Sequence, residues 1–254
     1  MHRFYLPPQA IREGRLRLCD AEAHHALHVV RVRIGERVIV MDGAGHELLC
    51  DVTGTGRHHV DLALRQSSDL PRLPYRLTLI QAIAKARSMD LIIQKATELG
   101  AARIVPILSE RSVARPEAEE SARVVDKWRA VAIEALKQCG APWLPEIEAP
   151  ATPSAFLATQ PRFSLMLLAS LQPGARHPRE HLRAARQDGP APPDDVAVWV
   201  GPEGDFTPAE LQLIQSAGAL PITLGPLVLR SETAAFYCLS FLSYELQRGS
   251  EAPR

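Results

Sequence analysis

No G-x-G-x-x-G follows the first strand of this sequence, and no G-x-x-x-x-G-K-[ST] occurs in it. That removes the usual dinucleotide-binding and P-loop signals. Cysteine is sparse: Cys19, Cys50, Cys139 and Cys238 are scattered, with no CxxC and no paired histidine spacing. This argues against a structural zinc or any other metal site, and against a disulfide framework; it fits a reducing cytoplasm. No apolar run approaches the ~20 residues of a membrane span, and the opening MHRFYLPPQAIREGR lacks the apolar core of a signal peptide. Net charge is also missing, with 29 basic against 29 acidic residues. A neutral sum argues mildly against a nucleic-acid partner, since such proteins are usually basic. The distribution softens that point, because Arg3, Arg12, Arg15, Arg17, Arg31, Arg33 and Arg37 all fall near the N-terminus.

At 254 residues the chain is long enough for one large domain or two ordinary ones. Residues 1–70 read as short strands: LRLC, the alternating ERVIVMDG, HELLCDVTG and HHVDLALRQ. DGAG at Asp42–Gly45 is a hairpin turn. Asp20 to Val32 is helix-like, with Asp20 as a possible N-cap. Many short strands with one helix predict a small β-barrel. The Pro-interrupted SSDLPRLPYR, Ser67 to Arg76, is the best domain boundary. From there to residue 254 strands and helices alternate. LTLIQAIA, ARIVPILS, Phe163–Ala169, VAVWV and PITL are strands. Met89–Leu99, Ala118–Cys139, Glu180–Arg186, Pro208–Ala217 and Glu232–Gln247 are helices. Uninterrupted apolar strands in such an alternation predict an α/β fold with a parallel sheet covered on both faces. Gln172 to Asp195, rich in Pro, Arg and Gly, reads as a surface insertion.

Two segments, VAVWVGPEGDF and LPITLGPLVLRSETAAF, run from apolar strand straight into Gly and Pro and then into a helix start. Such turns build a backbone-lined pocket at the carboxyl edge of a parallel sheet, where α/β folds bind ligands. Gly201, Gly204 and Gly225 remove side chains where something approaches the backbone, and Pro202 and Pro226 fix the bends.

The same residues carry a resemblance. GPEGDF followed by LGPLVLRSETA, together with Arg3-Phe4-Tyr5, HHALHVVRVRIGE, AIAKARSMDLIIQKATELGA, ILSERSV and EALKQCGAPWLPEI, is similar to the bacterial 16S rRNA (uracil-N3)-methyltransferase family of the SPOUT superfamily. The resemblance spans almost the whole chain. It implies a PUA-like RNA-binding barrel over residues 1–70 and a SPOUT methyltransferase domain with a C-terminal trefoil knot over 71–254. It also implies a homodimer, 16S rRNA of the small ribosomal subunit as partner, and S-adenosylmethionine (SAM) held bent in the pocket. By resemblance the cofactor loops map onto Leu168 and Ala169, onto Gly201, Pro202, Glu203 and Gly204, and onto Leu224, Gly225, Pro226, Val228, Leu229 and Arg230.

Attack of a uracil N3 on a sulfonium methyl needs alignment and loss of a weakly acidic proton. Negative charge then grows on the O2/O4 system, and an arginine placed there stabilises it. Arg230 is the first candidate and Arg111 the second, with Glu203 or Glu232 as base. Glu232 reads equally as a first-turn carboxylate suited to the helix dipole. Lys95 and Glu98, at i, i+3, read as an ion pair before a substrate contact, and His24, His25 and His28 as a polar helix face. Arg3, Arg31 and Arg33 are the candidates for RNA contact. The sequence departs from the family at Ala141 and Leu227, where arginine is expected, and at Asp205, where glycine is commoner. Two other readings stay open at this point: a SPOUT enzyme acting on another RNA, and an RNA-binding protein that keeps the fold without turnover.

Overall fold

Alternating apolar residues in the first seventy positions give the N-terminal sheet its buried face. The structure is a computed structural model; it describes all residues except 13–15, 113–115, 117, 189–192 and 248–254, and the side chains of Arg12, Ala118, Gln187 and Asp188 are also outside the description. The readings on Arg12, Arg15, Val113 and 189–192 therefore lie outside the described residues. The elements of this part are β1 (His2–Tyr5), α1 (Pro8–Arg12), β2 (Arg17–Cys19), α2 (Asp20–His24), β3 (Arg37–Met41), β4 (His46–Thr55) and β5 (His59–Asp69). The strand order is β1-β3-β4-β5-β2, with β1 parallel to β3 and the other pairs antiparallel. In β4 the alternation is direct: Leu48, Cys50 and Val52 face the core with Phe4, Leu18 and Val38. Burial, then Asp51, pushes the Cys50 thiol up to about 11, so Cys50 serves as an inert packing residue. The 42–45 turn forms as expected: Gly43 and Gly45 have positive φ, and the Asp42 carboxylate accepts from the Ala44 and His46 amides at 2.7 and 3.1 Å.

The helix after β2 differs from the reading. Cys19, not Asp20, is the N-cap, with no side-chain capping bond, and Asp20 has φ 47°. From His25 to Val30 the helix widens into π-helical turns, ending at Arg31 in the left-handed region. A π segment displaces the 3.6-residue register, which is why the simple apolar period fades here.

The runs LTLIQA, RIVPI, LMLLA and VAVWV leave no polar face, so both sides of their sheet must be covered. The elements are β6 (Arg76–Ala82), α3 (Ala86–Glu98), β7 (Arg103–Ile107), α4 (Ser121–Cys139), β8 (Glu146–Ile147), α5 (Pro153–Ala158), β9 (Leu165–Ala169), α6 (Pro178–Asp188), β10 (Asp195–Val200), α7 (Pro208–Ser216), β11 (Leu220–Ile222) and α8 (Ser231–Leu246). All strand pairs are parallel, in the order β11-β9-β10-β6-β7-β8. Trp199, fully buried, packs edge-on against Phe156 and Phe206. α8 returns from the β11 edge to pack on α3, β6 and β10. The chain forms two compact units: Met1–Arg72 with Ile133–Leu144, and Leu73–Ala132 with Pro145–Arg254.

Candidate functional site

In the second unit, β11, β9 and β10 are neighbours, and the loops leaving their carboxyl ends enclose a cavity of about 440 Å³. This is the edge at which parallel sheets bind ligands, and the volume is that of a small-molecule site. The walls are 169–175 from the end of β9, 200–203 with Asp205 from the end of β10, and 223–229 after β11, with Ser231 and Ala234 of α8 completing them. Among the described residues no lysine, arginine or histidine lines the cavity, whereas Glu203 and Asp205 do. A phosphate-bearing nucleotide would meet no cation there. A ligand carrying a sulfonium and an ammonium group meets two carboxylates and a wall of Leu, Val and Pro.

The loops are braced from within. Asp205 sits at φ 59°, a conformation that aspartate tolerates better than most residues. Its carboxylate accepts from the Phe206 amide at 2.8 Å and from Gln172 Nε2 at 3.3 Å, joining the second loop to the first. Thr207 caps α7 in a reciprocal box with Glu210. The buried Glu210 carboxylate also accepts from the Glu110 amide at 2.9 Å and from Ser109 Oγ at 3.1 Å. That clamp sets the 109–111 turn beside the second loop, where Arg111 donates to the Gly204 carbonyl at 2.7 Å.

Of the residues singled out in the sequence, Ala169, Gly201, Pro202, Glu203, Leu224, Gly225, Pro226, Val228 and Leu229 all line the cavity. Leu168 is instead fully buried in the core behind it. Gly204 lies against the Arg111 side chain. Arg230 is the N-cap of α8, exposed and outside the lining, between Leu229 and Ser231, which are both in it. Glu232 is half-buried in the first turn of α8. The sequence reading missed the first loop: Gln172–Ala175, taken as the start of a surface insertion, forms a cavity wall. The signal was present, since LASLQPGA also runs from apolar strand into Pro-Gly. It missed Ser231, Thr223 and Ala234 as well, whose types carry no chemical signature.

In the first unit, Arg31 and Arg33 are exposed on either side of buried Val32. Arg3 differs from them, being half-buried, packed against Gly140 and donating to the Gln138 carbonyl at 3.4 Å. Arg17 pairs with Asp61 at 2.6 Å. His24 and His28 stack with ring centroids 4.8 Å apart. Lys95 bonds both Glu98 oxygens, at 2.9 and 2.8 Å, so the expected ion pair forms. Among the described residues no cluster of histidine, cysteine or carboxylate groups is arranged to hold a metal.

A parallel-sheet unit with a backbone-built pocket at its carboxyl edge, attached to a small mixed-sheet unit, matches the SPOUT methyltransferases that carry a PUA-like module. The chain belongs to the RNA methyltransferase family: the family model for the RNA methyltransferase domain matches residues 71–243, and that for the RNA methyltransferase PUA domain matches 18–64. Ribosomal RNA small subunit methyltransferase E of Mycobacterium tuberculosis is 31% identical over 221 residues, covering 86% of this chain and 82% of that protein. The Bacillus subtilis protein of the same name is 27% identical over 257 residues, 99% of this chain and all of that one. Among solved structures, a Legionella pneumophila protein in complex with SAM superposes with a TM-score of 0.84 at 30% identity, covering 96% of this chain and 97% of that chain. Ribosomal RNA small subunit methyltransferase E from Neisseria gonorrhoeae, bound to S-adenosyl methionine, gives 0.81 at 28% identity, covering 96% of this chain and 98% of that chain.

Proposed function

We propose that this protein transfers the methyl group of SAM to N3 of a specific uridine in 16S rRNA of the small ribosomal subunit, in the cytoplasm. The observation that carries the reading is the cavity at the carboxyl ends of β9, β10 and β11, whose lining among the described residues has carboxylates but no cations. When bound, the cofactor supplies a sulfonium methyl, so the N3–C bond forms as the C–S bond breaks and the sulfur leaves as a neutral thioether. The chain's own part is to hold and orient. The backbone of 201–203 and 224–229 takes the adenosine portion, Leu224, Val228 and Leu229 exclude water, and Glu203 and Asp205 face positive charge. The N3 proton leaves to a carboxylate, Glu203 or Glu232, and Arg230 at the pocket rim meets the negative charge that grows on the uracil oxygens. The test is chemical mapping of N3-methyluridine in 16S rRNA from a strain lacking the gene. The expected result is loss of one modification, restored by the wild-type gene; an unchanged map overturns the assignment.

We further infer that the protein works as a homodimer. Tyr237 and Tyr244 are 49% and 64% exposed on α8, with Phe241 stacked edge-on against Tyr237. These positions fall at i, i+4 and i+7, one continuous apolar stripe on a helix whose other face is already buried. Leu227 and Val228, in the cavity wall, are 73% and 77% exposed. Aromatic stripes of this kind mark protein interfaces, and a second copy is the commonest partner. Sedimentation at micromolar concentration should give a dimer, and Tyr237→Glu with Tyr244→Glu a folded monomer. A monomeric wild type would contradict the inference.

A further inference from the structure

Gln81 is fully buried at the carboxyl end of β6, inside an otherwise mostly apolar run. Its Nε2 donates to the Ala82 carbonyl and to Ser231 Oγ, both at 2.9 Å. Ser231 Oγ in turn donates to the Gly201 carbonyl at 2.8 Å. The polarity of this chain is fixed, because a carbonyl only accepts and the hydroxyl has a single hydrogen. Bonds in such a series strengthen one another. Gln81 Oε1, by contrast, is buried with no hydrogen-bond partner among the described residues. Turning the amide over does not cure this, since it would set Oε1 against the Ala82 carbonyl and discard both donations. An orphaned buried acceptor lowers stability and calls for a reason to be kept.

We propose that Gln81 is a positioning residue for the cofactor site: through Ser231 it ties the loop after β10 to the start of α8, setting the walls of the cavity before the cofactor arrives. Gly201 and Ser231 both line the cavity and Gln81 does not, so it acts only through them. Pre-set walls improve affinity by removing the entropy of ordering two loops at the moment of binding. The orphaned acceptor is the structural cost of that fixed geometry. The proposal rests on the reading that this cavity takes SAM.

The full-length protein is titrated with SAM by calorimetry, and thermal unfolding is recorded without SAM. Gln81→Met removes the orphan and the donor that holds the Ser231 hydroxyl on the Gly201 carbonyl. Its Tm should hold or rise, while its SAM Kd rises about tenfold, the scale of one neutral hydrogen bond. Ser231→Ala should weaken SAM to a similar extent, because it breaks the same series of bonds. The double variant Gln81→Met, Ser231→Ala should be no weaker than either single, because both break one chain. Wild-type affinity in Gln81→Met, additive losses in the double variant, or affinity lost only in proportion to stability would each overturn the proposal. Should Ser231→Ala fail to fold, Gln81→Met, which leaves the cavity lining untouched, still decides it. A wild type that takes up no SAM would instead overturn the cofactor reading, and the proposal with it.

Discussion

Gly225→Val will fold and will not bind SAM. Gly225 sits at φ +109° in the loop after β11, where its amide donates to Thr223 Oγ1 at 3.2 Å. A β-branched residue held in this region costs about 1–3 kcal/mol, which an exposed loop relieves by moving. A Cβ at this position would meet nothing within 4 Å, so no core contact resists the substitution. The strain therefore falls on the shape of the cavity wall and not on the fold. Tm should change by no more than a few degrees, while SAM affinity falls at least about a hundredfold, beyond easy calorimetric detection. Gly201→Val is a different experiment, although the sequence gives both glycines the same reason. A Cβ at Gly201 would come within 3.3 Å of the Phe206 ring, and Phe206 is buried against Trp199. That variant should lose both binding and several degrees of Tm. A folded Gly225→Val protein with unchanged SAM affinity would remove the 223–229 loop from the site.

That contrast shows what local pattern carries and what it does not. Strand runs such as VAVWV and LMLLA were legible because burial on both faces leaves no polar position. The loops after them were legible because Gly and Pro punctuate a strand end in few other ways. The third wall, Gln172–Ala175, has the same punctuation but lies next to the arginine-rich α6, and composition over the longer window hid it. Asp205 reads as a departure from a glycine until its φ of 59° shows that the backbone demand is intact. Other features depend on residues far apart in sequence, and no local period reports them. Ile133–Leu144 groups with the N-terminal unit because Lys137 pairs with Glu22 at 2.6 Å and Trp143 Nε1 donates to the Leu70 carbonyl at 3.0 Å. An amphipathic helix announces that one stripe is buried, not what buries it. The Gln81–Ser231–Gly201 series is invisible for the same reason, spanning 150 residues at its first step.

Arg230→Ala should impair turnover, and Arg31→Ala with Arg33→Ala should impair RNA binding. Arg31 and Arg33 are exposed in the first unit, beside a turn at Gly35 with φ +89°. Exposed arginines of this kind contact phosphates, which set affinity and its salt dependence but carry little sequence information. Their joint removal should raise the KM for RNA and leave SAM affinity unchanged. It should also flatten the slope of log affinity against log salt by about 1.5, for two lost phosphate contacts. Arg230 stands elsewhere: its neighbours on both sides line the cavity, and its own exposed guanidinium has no hydrogen-bond or ion-pair partner among the described residues. Arg111, the other candidate, is already donating to the Gly204 carbonyl, so it braces the loop before it meets any substrate. Charge on the uracil oxygens grows only toward the transition state, so loss of Arg230 should lower kcat by about a hundredfold with a smaller change in KM. Single-turnover rates on 16S rRNA, with RNA affinity measured separately over a salt series, distinguish the two effects. If both sets of variants give the same kinetic defect, the division between phosphate positioning in the first unit and charge stabilisation in the second is wrong. The RNA would then be held by both sets of arginines alike, and the search for the group facing the uracil oxygens would return to Arg111.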